Sequence, residues 1–321
     1  MAANGTRPWT VLVTAPRACQ AIDRYREALQ ASGCRVVAHP ALERLGEDDL
    51  LALVGDIDGI VCGDDRITDR VLAAAPRLKV IAKWGTGIDS IDRDAAAARG
   101  IAVCNTPVAF SDPVADSVIG YVLLFARELD HMTNDMRAGI WSRRQLRALS
   151  ECTIGIVGFG NIGAAVARRA ASFRMRILAC DIRPIDGQAV ATPGVTLTTL
   201  DEVLAGSDFV TLHADLRADN RHLMDEARFA ILRPSAVLIN TARGPLVDET
   251  ALISALRDGR LAGAALDVFE QEPLPAASPL RHMPNVYLAP HNANSSAAAA
   301  ERVHTNTIRR VLEALTGVTQ S

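Results

Sequence analysis

Three ionisable residues stand just beyond apolar runs in the second half of the chain. Arg243 follows Ala236-Val-Leu-Ile-Asn-Thr-Ala, Glu272 follows Ala264-Ala-Leu-Asp-Val-Phe at a distance of two residues, and His291 follows Val286-Tyr-Leu-Ala-Pro. A guanidinium holds a carboxylate through two parallel bonds and can polarise a neighbouring carbonyl. An imidazole titrates near neutrality and exchanges a proton with a reacting oxygen. A carboxylate bonded to that imidazole orients it and favours its protonated form. The set suits oxidation of an alcohol beside a carboxylate, or the reverse reduction of a 2-keto acid, with a hydride passing to or from C2. Each residue also has a plainer reading: Arg243 pairing with Asp248, Glu272 as a solvated loop residue, His291 helping to cap the last helix. In an open parallel sheet, ligands bind beyond the carboxyl ends of the strands, so residues distant in sequence can converge there.

A hydride needs a carrier, and the stretch CTIGIVGFGNIGAAVARRAASFRMRILACD, residues 152–181, is built to hold one. Ile154, Ile156 and Val157 lead into Gly158-Phe159-Gly160-Asn161-Ile162-Gly163. A helical pattern follows, and the apolar run Ile177-Leu178-Ala179 ends near Asp181. In such a strand-turn-helix the first glycine makes the tight turn, the second admits backbone amides to a pyrophosphate, and the third lets helix and strand pack closely. The helix N-terminus then faces the phosphate charge. Asp181 is placed to accept both ribose hydroxyls of NAD and to repel the 2′-phosphate of NADP; Arg183 beside it could instead receive that phosphate. NAD is the expected cofactor, with NADP the weaker alternative.

Step back, and the chain reads as alternating strands and helices. Over residues 9–105, apolar runs at Val11–Val13, Arg35–Val37, Gly59–Cys62, Leu78–Ala82 and Ile101–Cys104 alternate with helical patterns. Those patterns fall at Cys19–Ala31, Glu47–Val54, Thr68–Ala74 and Ile91–Arg99. Short strands separated by helices predict a parallel sheet covered on both faces. This half has no GxGxxG, so it is a second α/β domain. Asn105-Thr106-Pro107 marks a domain crossing, because proline drives the residue before it out of helix. A long helix over Pro113–Asp130 is expected next, with Val114, Val118, Tyr121, Val122 and Phe125 on one face. A six- or seven-stranded doubly wound domain then runs to His291. The last helix, Ser295–Leu315, is capped by Ser295 or Ser296 and, lacking a strand of its own, is expected to pack on the first domain.

Length and composition agree. With 321 residues, 49% of them hydrophobic and 22% charged, the chain suits two globular domains. A formal charge of −3 weighs against nucleic acid or an anionic membrane as a bulk partner. The start MAANGTRPWT has no signal-peptide core, and no apolar segment is long enough to span a bilayer. The six cysteines are scattered without CxxC, which points to reduced thiols rather than disulfides or metal ligands, and to the cytoplasm.

GFGNIG, INTARGPLVDE (239–249), GAALDVFEQEP (263–273), LAPH (288–291) and KWGTGIDSID (83–92) occur in the order found in the NAD-dependent D-isomer-specific 2-hydroxyacid dehydrogenases, which this chain resembles over nearly its whole length. That group includes D-3-phosphoglycerate dehydrogenase, D-lactate dehydrogenase, glyoxylate/hydroxypyruvate reductase and formate dehydrogenase. The resemblance implies two doubly wound parallel-sheet domains: a Rossmann coenzyme domain, 108–291, inserted in a flavodoxin-like substrate domain, 1–107 and 292–321. It implies Arg243, Glu272 and His291 as the catalytic set, with Glu272, not Glu270, as the partner of the histidine. It implies cofactor contacts from Gly158 to Gly163, Asp181, His213, Ala214, Asn220, Thr241, Ala242, Asp267 and Thr86. Substrate contacts fall to Lys83, Thr86, Gly87, Arg243 and His291, and a homodimer forms through the coenzyme domain.

The chain departs from the pattern in places. Asp215 replaces a proline in His213-Ala-Asp-Leu, and Phe110 stands near the pocket in Pro107-Val-Ala-Phe-Ser. Cys62, followed by Gly-Asp-Asp-Arg, stands where phosphoglycerate enzymes often carry an arginine. The last change weakens a phosphate-bearing substrate, although Lys83 and Arg66 leave some positive charge. Three readings stay open: a dehydrogenase of a small D-2-hydroxy acid, a phosphoglycerate dehydrogenase, or an NADH-binding sensor of the same fold.

Overall fold

The computed structural model describes residues 7–185 and 192–317. The expectation of no signal peptide rests partly on residues 1–6, which lie outside the described residues. The chain divides into two compact units, one of Met1–Ala109 with Ser296–Ser321 and one of Phe110–Ser295.

In the first unit, β1 (Trp9–Val13), β2 (Cys34–Ala38), β3 (Gly59–Cys62), β4 (Val80–Lys83) and β5 (Ala102–Cys104) form a sheet ordered β2-β1-β3-β4-β5. All its pairings are parallel. Every residue of β3 and β4 is buried, as expected of inner strands covered on both faces. Leu12, Ile60, Ile67, Leu72 and Ile81 make the centre of one core layer. The helix expected over Cys19–Ala31 is two helices, Pro16–Gln20 and Ile22–Ala31. Pro16 starts a short helix early, and Ala21, at φ −103° and ψ 27°, breaks the ladder between them. The final helix, Ala297–Thr316, is capped by Ser296, whose Oγ accepts the Ala299 N–H, and ends at left-handed Gly317. It packs within this unit: Trp84 Nε1 donates to His304 Nδ1 at 3.2 Å, and Asn306 Nδ2 donates to the Asn105 carbonyl at 3.2 Å.

In the second unit, seven strands follow: β6 (Thr153–Val157), β7 (Arg176–Cys180), β8 (Val195–Leu197), β9 (Phe209–Leu212), β10 (Val237–Asn240), β11 (Gly263–Leu266) and β12 (Val286–Leu288). The sheet runs β12-β11-β10-β9-β6-β7-β8, parallel throughout. The edge strand β8 is the one that apolar runs do not reveal, because its Val-Thr-Leu is half-buried to exposed. Each fully buried Ile or Leu of the inner strands contributes about 1.5–3 kcal/mol. The long helix starts at Ser111 and stops at Arg127, short of the expected Asp130. Glu128 turns left-handed at φ 44° and ψ 42°, and a second helix, Leu129–Arg137, follows. Val114, Val118 and Val122 are buried in the core as their spacing predicts, while Phe125 packs edge-on to Tyr287.

Candidate active site

The strand ends of the second unit carry the three candidate residues Arg243, Glu272 and His291. Beyond β10, Asn240 shapes the turn: its Nδ2 donates to the Arg243 carbonyl at 2.9 Å and its Oδ1 accepts the Ala242 N–H at 3.1 Å. The turn presents Arg243 in extended backbone, with Nη1 donating to the Ala242 carbonyl at 2.9 Å. Asp248 caps the helix Glu249–Arg257 by accepting the Ala251 N–H.

Beyond β11, Glu272 is no solvated loop residue. Its Oε1 accepts the Phe269 N–H at 3.0 Å, and its Oε2 lies 3.1 Å from His291 Nδ1. The side chains of the pair are 12% and 20% exposed, so whenever the imidazole is protonated the pairing is only weakly screened. His291 sits in the left-handed region at φ 48°, held by its N–H to the Asp267 carbonyl at 2.8 Å. Strain of this kind persists only where the surroundings enforce it. Here Asp267 enforces it: its buried carboxylate accepts the Asn292 N–H at 2.8 Å and the Ala293 N–H at 2.9 Å. Burial holds this carboxyl above the usual range, and the two N–H bonds only partly offset it. Asp267, assigned to the cofactor by resemblance, thus also builds the segment that carries His291.

The glycine-rich turn expected to hold a dinucleotide follows β6. Gly158 adopts φ +93°, and a Cβ there would lie 2.6 Å from the backbone of His213 and Ala214. A Cβ on Gly163 would lie 2.2 Å from the Gly158 carbonyl oxygen. Only glycine permits both the turn and the closeness of the helix Asn161–Ser172 to it. Gly160 differs: a Cβ there meets nothing closer than Arg183 Nη2 at 3.6 Å, so the space beside it is open.

Asp181, after β7, accepts the Phe159 N–H at 2.8 Å and the Arg183 N–H at 2.9 Å. The Arg183 guanidinium also turns back onto it, Nε to Oδ1 at 3.2 Å. Burial pushes the Asp181 carboxyl up, but the bonds from Arg183 and Phe159 outweigh burial and hold it below the usual carboxylate range. Arg183 is therefore engaged with Asp181 rather than standing apart for a phosphate.

After β9, burial pushes the His213 imidazole down to about 3. Its Nε2 meets Thr211 Oγ1 at 2.9 Å, while its buried Nδ1 has no partner. Thr241 Oγ1 is buried and unpartnered as well. A cradle sealed by glycines, a carboxylate at the next strand end and two orphaned polar atoms beyond β9 and β10 fit the polar outline of a dinucleotide. Asn220 is held in the adjoining loop, donating to the Asp215 carbonyl and accepting the Arg217 N–H, each at 2.7 Å.

In the first unit, Lys83 ends β4 almost wholly buried, with its Nζ 2.7 Å from Asp64 Oδ1. Its charge is balanced there, so Lys83 can offer a substrate N–H donors but little net positive charge. The following turn is held from one side: Asn105 Nδ2 donates to the Thr86 carbonyl at 2.5 Å, and Thr86 Oγ1 donates to the Thr106 carbonyl at 3.2 Å. Gly87 is partly exposed. Phe110, expected near the pocket, is buried in the second unit. Asn240, Asn105 and the Arg183–Asp181 pair escape sequence reading because their work is done on backbone groups or neighbours that spacing does not show. Their position next to a motif residue is the only available signal.

Known proteins resemble this chain. A family model for the NAD binding domain of the D-isomer specific 2-hydroxyacid dehydrogenases matches residues 119–293. A glyoxylate reductase of Thermofilum pendens is 39% identical over 292 residues, covering 88% of this chain and 86% of that one. A D-3-phosphoglycerate dehydrogenase of Methanocaldococcus jannaschii is 35% identical across 85% of this chain, which spans 52% of that longer protein. The crystal structure of a D-lactate dehydrogenase from Aquifex aeolicus, complexed with NAD and lactic acid, superposes with a TM-score of 0.85 at 27% identity, over 96% of each chain.

Proposed function

Because this chain belongs to the D-isomer specific 2-hydroxyacid dehydrogenase family, we propose that it interconverts a small, unphosphorylated 2-keto acid of the glyoxylate type and the corresponding D-2-hydroxy acid, with NAD as its coenzyme. The observation that carries the reading is the 3.1 Å pairing of His291 Nδ1 with Glu272 on a sheet whose neighbouring strand end bears Arg243. Arg243 binds the substrate carboxylate and polarises the C2 oxygen. His291, through Nε2 across the ring from Glu272, gives that oxygen its proton in reduction and takes it in oxidation. Glu272 orients the imidazole and balances its charge in the protonated state. NAD, when bound, supplies or accepts the hydride at C2. The residues to hold it are the Gly158–Gly163 turn, Asp181, His213, Ala214, Thr241, Ala242 and Asp267, while Asn220 shapes the adjoining loop. Lys83, Thr86 and Gly87 of the first unit are the further substrate contacts.

The choice of an unphosphorylated acid rests on Lys83, whose charge is met by Asp64, and on Cys62, a buried thiol that offers no positive charge at that position. A panel of glyoxylate, hydroxypyruvate, pyruvate, phenylpyruvate and phosphohydroxypyruvate with NADH and NADPH tests it. Glyoxylate or hydroxypyruvate should lead, and preference for the phosphorylated acid would overturn the assignment.

No helix among the described residues is long and apolar enough to cross a membrane; a cytoplasmic location is our reading, checked by cell fractionation. A homodimer through the second unit fits Met136, Ile140 and Trp141, which stand exposed in one short stretch, Trp141 at 77%. Trp141→Asp should convert the dimer to monomer in light scattering, and a wild-type monomer would refute the proposal.

A further inference from the structure

The two segments bearing Arg243 and Glu272 are fastened to each other. A Cβ on Gly244 would lie 1.9 Å from the Phe269 carbonyl carbon and 2.5 Å from the Glu270 nitrogen, so the two backbones run in direct contact. A few residues on, Glu249 Oε1 accepts the Glu270 N–H at 2.6 Å. The Glu270 carboxylate reaches the other way, to His222 Nε2 and, at 3.5 Å, to Arg221 Nη2. His222 in turn donates its N–H to the Pro245 carbonyl at 2.8 Å. The same short turn, 269–272, ends in the carboxylate that meets His291.

We propose that Glu249 is a positioning residue for the reaction: by gripping the Glu270 N–H it fixes the 269–272 turn and so the placement of Glu272 against His291. The inference rests on the reading of Glu272 and His291 as the acid–base pair. Helix capping does not explain Glu249, since Asp248 already caps the helix Glu249–Arg257. The charged groups facing Glu249 are Glu270 and Glu272, with His222 and Arg221 on Glu270 and Asp248 alongside His222 at 3.9 Å. Burial, followed by repulsion from Glu270 and Glu272, holds the Glu249 carboxyl above its ordinary range despite the N–H bond.

Two substitutions separate the grip from the charge. Glu249→Ala leaves the Glu270 N–H without its acceptor, and kcat for keto-acid reduction should fall about tenfold, the lower end of what a hydrogen bond to a charged group is worth. The KM for the keto acid and the NADH dissociation constant should stay within about twofold, since neither ligand is touched. Glu249→Gln keeps an acceptor oxygen and removes a negative charge near Glu272. Its kcat should remain within about threefold of the parent, while the pH at which reduction falls to half moves downward. Equal kcat in Glu249→Ala and wild type, or a Glu249→Gln profile that overlays the wild type, would overturn the proposal. So would a loss in Glu249→Ala that appears equally in NADH affinity. If Glu249→Ala does not fold, Glu249→Gln and Glu249→Asp carry the test: Asp, one methylene short of the N–H, should lose kcat while Gln does not. His291→Asn run in parallel distinguishes the two failures. An active His291→Asn sinks the acid–base reading itself, whereas an inactive one beside a fully active Glu249→Ala sinks only the inference.

Discussion

Replacing Glu272 by glutamine changes one atom's chemistry and leaves the shape, yet the surroundings dictate a large effect. The Phe269 N–H donates to Glu272 Oε1 at 3.0 Å, and that donor still needs an oxygen in the variant. The amide carbonyl therefore stays on Phe269, and the amide NH2 is directed at His291 Nδ1, where Oε2 stood at 3.1 Å. An NH2 there demands an unprotonated Nδ1, the opposite of what the proton-donating imidazolium requires. The lost interaction is a hydrogen bond between charged groups whose side chains are 12% and 20% exposed. It is worth about 1.5–3 kcal/mol, or roughly 10- to 150-fold in rate. An exposed pair such as Arg70–Asp48, at 66% and 90%, carries far less. Glu272→Ala removes the partner without imposing the wrong tautomer, so it should be the milder change. The assay is initial-rate reduction of a keto acid followed by NADH absorbance, with NADH affinity measured separately by fluorescence. Both variants should bind NADH normally, and Gln should be slower than Ala. Glu272→Gln within about threefold of wild type, or faster than Glu272→Ala, would refute the geometric reasoning.

Asp181→Ala should raise the ratio of kcat/KM for NADPH over NADH, because it removes the repelling carboxylate and releases the Arg183 guanidinium that now pairs with it; an unchanged ratio would discredit Asp181 as the discriminator. Gly163→Ala would place a methyl 2.2 Å from the Gly158 carbonyl, and a Tm loss equivalent to about 1–3 kcal/mol, with weakened NADH binding, is expected by calorimetry and titration. Burial depresses the imidazoles of both His213, to about 3, and His304, from the ordinary 6.5, so the native state takes up their protons only at lower pH than the unfolded chain does. The His213 contribution is complete above 6.5 and is lost as pH falls toward 3, and that of His304 is likewise lost below 6.5, whereas the contribution of Asp181 and Asp208, held below the carboxylate range, is complete above about 4 and is lost only below it. Tm should therefore already decline between roughly pH 7 and 5, and His304→Gln should flatten that slope; an identical slope in the variant would contradict the burial argument.

Fold and chemistry were legible wherever a residue type had a single physical use. Inner parallel strands must be apolar on both faces, so Gly59–Cys62 and Val237–Asn240 announced themselves. Gly158 and Gly163 were readable because only glycine fits the turn and the crossing. Where a residue's role depends on a partner brought in by folding, the sequence was silent. β8 carries too little apolar surface to be seen, although β7 gives it a ladder. Glu128 looked like one more helical glutamate, yet it stops a helix in the left-handed region and pairs with Arg144. Lys83 read as a positive charge for substrate, and Asp64 answers it. Asp267 was readable as a cofactor contact, but nothing in its spacing showed that both of its oxygens also hold the backbone after His291.

The two sheets also solve one problem identically, and the solution bears on where strain can be tolerated. Asp58 immediately precedes β3, accepts the Thr10 N–H of β1 at 2.8 Å and is neutralised by Arg77 at 2.6 Å. Asp208 immediately precedes β9, accepts the Thr153 N–H of β6 at 2.7 Å and is neutralised by Arg147 at 2.7 Å. In each sheet the pair joins the strands flanking the point where strand order reverses, β1 with β3 and β6 with β9. A buried carboxylate is tolerable only when its lone pairs and charge are fully answered, and both of these are. Both clamps lie at the amino ends of their strands. The second unit keeps its left-handed His291, its orphaned His213 Nδ1 and Thr241 Oγ1 and its positive-φ Gly158 at the carboxyl ends. Securing strand order at one rim leaves the other free to hold groups that folding alone would not favour, and those are the groups with which a cofactor and an acid–base pair can work.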